Sequence, residues 1–163
     1  MKQLSIFQEE KQLKTCVFTG HRELPLDFSK KQLKSAIEKL ISLGVETFLC
    51  GMAIGFDLLA AETVLTLRKK HPHIKLIACI PCIGQEKYFS KTDQKRYVDA
   101  VKKADEQVIL ADSYYRGCMQ ARDKYMAERG DVMIAYCIKT EGGAAYTVRC
   151  FKKLHPDAEI LFL

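Results

Sequence analysis

Three glycine-bearing loops, each falling where a hydrophobic strand hands over to a helix, constrain this chain more than any other feature. They are Thr19-Gly20-His21-Arg22, Cys50-Gly51-Met52-Ala53-Ile54-Gly55-Phe56-Asp57 and Glu141-Gly142-Gly143-Ala144. In an open parallel sheet such loops converge on one edge, where bare backbone N–H groups and helix N-termini face one crevice and favour an anion such as phosphate. The chain therefore reads as a nucleotide- or phosphate-binding α/β domain.

The rest of the pattern alternates strand and helix. Short apolar runs bounded by turn residues predict strands at 15–19, 47–50, 75–80, 107–110, 132–137 and 159–162. Between them, Leu33, Ala36, Ile37, Leu40 and Ile41 recur at helical spacing and Gly44 stands where a left-handed C-terminal cap is wanted, which predicts a helix over 29–43. Weaker stripes predict helices over 57–70, 93–104, 117–129 and 144–154. The expected fold is α/β: a Rossmann-like, doubly wound, mainly parallel sheet in one domain over 14–163, behind an N-terminal extension at 1–13. Right-handed crossovers give the strand order 3-2-1-4-5-6 most simply, with the loops after strands 1 and 4 at the switch point and those after strands 2 and 5 beside them.

A chain of 163 residues, 48% hydrophobic, can bury a core of that size. The net charge of +6 is modest, and lysine pairs such as Lys30-Lys31 and Lys102-Lys103 fit solvated helix faces. The first fourteen residues lack the apolar core of a signal peptide, and no run approaches the ~20 apolar residues of a membrane span. A cytoplasmic protein without a membrane partner is expected, and a homo-oligomer is compatible with the sequence. Seven cysteines are an odd number, several of them inside apolar strands, which is reducing-compartment usage. Cys79-Ile80-Pro81-Cys82 has redox or zinc spacing, but a loop follows it and no second pair completes four ligands, so no metal is expected.

The usual dinucleotide fingerprint is absent. One glycine follows strand 1 in place of G-x-G-x-x-G, and strand 2 ends in Cys50-Gly51 with no ribose-binding acid, which argues against an ordinary NAD dehydrogenase. The loop after strand 2 takes over the glycine-rich role, with Gly51 and Gly55 admitting a ligand closely. Asp57 opens the next helix, as an N-cap or as a ligand group.

The ordered motifs Gly51-Met52-Ala53-x-Gly55-x-Asp57, Met119-x-x-Arg122-x-x-x-Met126, Asp131 before an apolar strand, and Gly142-Gly143 resemble the SLOG superfamily, whose members have a Rossmann-like fold. Thr19-Gly20-His21-Arg22, Gly84-Gln85-Glu86 and the run from Gly142 to Arg149 are most similar to its YpsA-like branch, over about residues 14–163. The resemblance implies a nucleotide or nucleotide-derived ligand and requires no cofactor. Two relatives pull apart. LOG-type phosphoribohydrolases use an arginine, matched by Arg122, and the glutamate of P-G-G-x-G-T-x-x-E, where this chain has Arg149. An arginine there cannot stabilise a developing cation or activate water, and Glu141 is the available substitute. DNA-processing protein A shares the Gly51–Asp57 loop and binds single-stranded DNA, which needs a basic groove and aromatic platforms. Tyr114-Tyr115-Arg116 is the one aromatic–basic cluster near a strand end, room for one base, so a strand is not favoured.

The expected site therefore comprises Gly20, His21, Arg22, Gly51, Met52, Ala53, Gly55, Asp57, Tyr114, Tyr115, Arg122, Gly142 and Gly143, with Arg122 and Glu141 as the catalytic candidates. Arg122 lies on an apolar stripe and must have an anionic partner, either a ligand phosphate or a carboxylate such as Asp131. Arg22 is a phosphate contact or a surface ion pair. His21 is a hydrogen-bonded loop residue or a catalyst.

Overall fold

The computed structural model describes residues 12–163; the first eleven residues, and with them most of the expected N-terminal extension, lie outside the described residues. Six strands form one all-parallel sheet: β1 (Thr15–Gly20), β2 (Thr47–Cys50), β3 (Lys75–Ile80), β4 (Glu106–Ile109), β5 (Val132–Tyr136) and β6 (Ile160–Phe162). The helices between them are α1 (Lys30–Ser42), α2 (Phe56–Arg68), α3 (Lys91–Lys103), α4 (Cys118–Arg129) and α5 (Gly143–Leu154). A 3₁₀ turn at Gln85–Tyr88 occupies what the sequence reads as loop.

The strand order is 4-3-2-1-5-6, which corrects the expected 3-2-1-4-5-6. The physical reason lies in β4. A strand in the middle of a doubly wound sheet is covered on both faces and must be apolar throughout, but β4 carries Glu106 and Gln107 and is largely exposed, as an edge strand is. The strand beside β1 is instead β5, Val-Met-Ile-Ala-Tyr, buried at every position and paired from Cys16↔Val132 to Gly20↔Tyr136. The switch point therefore lies between β1 and β5, and the loop after β4 stands three strands away from β1 at the far edge.

Handedness then fixes the layers. β1 to β4 step in one direction, and right-handed crossovers put α1, α2 and α3 on one face; β5 and β6 extend the sheet the other way, so α4 and α5 cover the opposite face. Two cores result from strand alternation. Cys16, Phe18, Phe48 and Ile134 pack with Leu33, Ile37 and Phe56 on the first face, and Val17, Leu49, Met133 and Ala135 pack with Met126 and Phe151 on the second.

The helix ends explain themselves locally. Ser29 caps α1 by accepting from the Gln32 amide at 3.1 Å, and Ser90 caps α3 through Asp93. Gly44 closes α1 at φ 105°, the left-handed end that the spacing predicts. Asp131 does not pair with Arg122. Its Oδ2 accepts from the Lys14 and Thr15 amides at 3.0 Å each, tying the start of β1 to the start of β5.

Candidate functional site

The loops after β1, β2 and β5 and the first turns of α2 and α5 enclose a cleft of about 540 Å³ at the switch point. Gly20, His21, Arg22, Ala53, Asp57, Arg122, Glu141, Gly142 and Gly143 all line it, nine of the residues expected from the sequence. Gly51, Met52 and Gly55 stand behind it as framework. Tyr114 and Tyr115, after β4, are not part of it.

Its floor is a charged cluster held by backbone. Arg122 Nη1 donates to the Gly51 carbonyl and, at 3.5 Å, to the Cys79 carbonyl, while Nε donates to Asp123 Oδ1 at 2.7 Å. The anionic partner expected for the guanidinium is thus its chain neighbour Asp123, with Asp57 close by. Burial works against the Arg122 charge, but the two carboxylates outweigh it and hold its pKa above the ordinary value. Gln85 Nε2 donates to the same Gly51 carbonyl at 2.9 Å, so one oxygen gathers α4 and the loop after β3.

Asp57 is not an N-cap. The N-cap of α2 is Gly55, and Asp57 is the second residue of the helix, where a carboxylate meets the positive end of the helix dipole. Its Oδ2 accepts from the Ala53 amide at 3.3 Å, and Oδ1 is buried with no hydrogen-bond partner among the described residues. Burial pushes the carboxyl up to about 6 against the pull of Arg122. Gly55 makes this loop possible: its φ is 79°, and a Cβ there would lie 2.1 Å from the Arg22 carbonyl oxygen. Met52 shares the left-handed region at φ 62° with its side chain fully buried, so the loop stores backbone strain beside the cleft.

His21 acts as a tie between loops. Its Nε2 accepts from the Ile138 amide at 2.9 Å and from Lys139 at 3.4 Å, which requires the neutral ring; burial, and then the charge of Lys139, lower its pKa. Arg22 is exposed and has no carboxylate within ion-pair distance among the described residues. Around Gly142 and Gly143 there is open space, with nothing within 4 Å of where a Cβ would stand, and no side chain caps the first turn of α5. Arg149, in the position of the phosphoribohydrolase glutamate, turns back to the Thr140 carbonyl at 3.1 Å.

The cleft is not basic. Arg22, Arg122 and Lys139 are set against Glu23, Asp57, Asp123 and Glu141 along its lining. Such a mixture suits a ligand with one anionic end and several hydroxyl or amine donors.

A second cavity, of about 680 Å³, lies over the ends of β2 and β3 and shares Arg22, Ala53 and Met119 with the first. Tyr114 lines it and Tyr115 lines neither. Gln85 and Tyr88, which also line it, are not among the site residues expected from the sequence. Gln85 stands in the Gly84-Gln85-Glu86 motif, but nothing in its spacing marks it as buried. Cys79 and Cys82 do not face one another: Cys79 is buried within β3, its thiol pushed up to about 12 by burial, while the Cys82 thiol lies beside that of Cys118.

A parallel, doubly wound sheet whose glycine loops open at the switch point defines a Rossmann-like protein of the SLOG class. The chain belongs to the YspA SLOG family, whose model matches residues 4–160. Among similar proteins are a UPF0398 protein of Halalkalibacterium halodurans, 31% identical over 82% of this chain and 72% of its own length, and the uncharacterised SPbeta prophage-derived protein YoqJ of Bacillus subtilis, 29% identical over 78% and 88%. Of solved structures, DNA processing protein A from Helicobacter pylori, described by its single-stranded DNA binding mode, superposes with a TM-score of 0.67 at 18% identity over 93% of this chain. DNA processing protein A from Streptococcus pneumoniae does so at 0.60 and 17% over 92%. This chain spans 65% and 50% of those two structures, and at such identities the likeness is one of fold. No helix among the described residues is long and apolar enough to cross a membrane.

Proposed function

We propose that the chain binds a nucleotide or nucleotide-derived phosphate ligand in the cleft between β1 and β5, as a sensor or binding module. The observation that carries this reading is the uncapped, unobstructed first turn of α5 at Gly142–Gly143, opening into a cleft that also holds Arg22 and the Asp57 carboxylate, whose Oδ1 has no hydrogen-bond partner among the described residues. A helix N-terminus with bare amides favours phosphate, and Arg22 and Lys139 add charge at the rim. Carboxylates on the floor suit the hydroxyls of a ribose.

Thermal denaturation with AMP, ADP, ADP-ribose or NAD tests it. A ligand that binds the native state alone raises the melting temperature by mass action. Gly143→Asp puts a carboxylate against the phosphate and abolishes the shift, while the open space around Gly143 lets the variant fold. No shift with any of the four at millimolar concentration overturns the reading.

A second reading, a single strand of nucleic acid, has one observation in its favour: Tyr88, Tyr114 and Tyr115 are 89%, 69% and 48% exposed near Arg22, Lys87 and Arg116. Exposed aromatic rings beside cations are how strands are held, and a structural neighbour is described as binding single-stranded DNA. The four carboxylates of the main cleft weigh against it, since each repels a phosphate backbone.

A further inference from the structure

Gln85 has one half of its amide satisfied and the other half stranded. Its Nε2 donates to the Gly51 carbonyl, and only the NH₂ end can do so, which fixes the amide's orientation. The Oε1 atom is thereby turned elsewhere, and it is buried with no hydrogen-bond partner among the described residues. A buried acceptor left unpaired costs free energy that a ligand donor would recover.

Gln85 forms part of the wall of the second cavity, whose remaining character is aromatic and cationic. Ile83, Tyr88, Phe89 and Tyr114 line it with Arg22 and Lys87, and no carboxylate among the described residues does. Tyr88 and Tyr114 are among the most exposed large apolar side chains of the described residues. Rings displayed beside a cavity offer flat faces to a second flat ring.

We propose that this cavity is a subsite for a nucleobase bearing an exocyclic amino group, stacked against Tyr88 and Tyr114, with a small outward shift of the Gln85 side chain bringing the stranded Oε1 within reach of the amino group. The proposal rests on the nucleotide reading of the neighbouring cleft. Arg22, shared by both cavities, stands where the sugar phosphate passes from one to the other. An amino group is specified because the stranded atom is an acceptor. A keto oxygen at the same ring position sets acceptor against acceptor.

Calorimetric titration with ribose 5-phosphate, AMP and IMP tests the subsite. AMP is expected to bind about a hundredfold more tightly than ribose 5-phosphate, about tenfold for the base stack and about tenfold for the hydrogen bond, and so about tenfold more tightly than IMP, which stacks but lacks that hydrogen bond. A Tyr88→Ala/Tyr114→Ala variant, whose removed rings are exposed and whose fold is checked by its melting temperature, should weaken AMP about tenfold for the lost stack and leave ribose 5-phosphate unchanged. Equal binding of AMP and IMP overturns the proposal, as does AMP affinity undiminished in the double variant. Ribose 5-phosphate binding with no gain from the base overturns the subsite alone; failure of all three probes overturns the nucleotide reading and the subsite with it.

Discussion

Arg122 on α4 reaches the carbonyl of Gly51 at the end of β2, 71 residues away in the chain, and it fits because Gly51 has no side chain. A Cβ on Gly51 would stand 2.6 Å from both Cζ and Nη1 of the guanidinium. The glycine that the motif suggests as a ligand cradle is therefore a seat for a buried cation. That cation fixes the end of β2 to the helix on the far face of the sheet.

Gly51→Ala should accordingly be far more damaging than its one added methyl suggests. The guanidinium has to leave its carbonyl while remaining buried beside Asp123, and a displaced buried charge costs on the order of 3 kcal/mol. Gly143→Ala is the control, since open space surrounds Gly143 and its change should stay within about 0.5 kcal/mol. Urea denaturation of the two variants checks this; equal midpoints would show that Arg122 is not seated as described.

Asp57 makes stability depend on pH. Its carboxyl titrates at about 6 in the folded protein against an ordinary 3.8, chiefly because of burial. Between those values the native state binds more protons than the unfolded chain, so this group's contribution is fully present below pH 3.8 and is lost as pH rises through 6. The loss is on the order of 3 kcal/mol. Asp57→Asn removes the titration, so the variant should gain on the wild type between pH 5 and pH 8 in melting temperature. A difference that does not change over that range would mean that the carboxyl is not desolvated.

How much of this was legible in the sequence differs by level. Strand and helix positions follow from periodicity, and Gly44 marks the end of α1, because these are local effects. Strand order is not local. The signal that would have placed β4 at the edge is Glu106-Gln107, polar residues that a central strand cannot carry; the fully apolar run 132–136 correspondingly belongs beside β1. The glycine loops after β1, β2 and β5 do meet at the switch point, but the loop after β4 lies at the far edge of the sheet, and Tyr115 on it lines neither cavity. The spacing leaves Asp57 open as an N-cap or a ligand group, and leaves the partner of Arg122 open as a ligand phosphate or a carboxylate such as Asp131. Only the packing of α4 across the sheet chooses Asp123 and the Gly51 carbonyl instead.

Whether the cleft does chemistry is a separate matter. Arg122 gives its Nε and Nη1 to protein partners, and Arg149 donates to the Thr140 carbonyl. Asp57 and Glu141 are the two carboxylates that line the cleft and lie outside the Arg122–Asp123 pair and the β1 rim. Incubation with AMP, followed by chromatography, is expected to release no more than trace adenine. Clear release that disappears in both Glu141→Gln and Asp57→Asn would establish a glycosidase using those groups.

Salt dependence decides between a nucleotide and a strand. A protein that holds single-stranded nucleic acid releases counterions for each phosphate it contacts, and log affinity falls with log salt by about 0.7 per contact. The main cleft sets three cations against four carboxylates, and the second cavity adds only Lys87, so few phosphates can be neutralised at once. Oligonucleotide binding should therefore be weak and vanish near physiological salt, while mononucleotide binding changes little. Fluorescence anisotropy with a labelled strand of about 20 nucleotides, long enough to cover a groove of this kind, measures the slope. Sub-micromolar affinity persisting at about 0.15 M salt, and reduced by both Arg22→Ala and Tyr115→Ala, would make the ligand a strand, because Tyr115 lies outside both cavities and only a ligand extending past them reaches it.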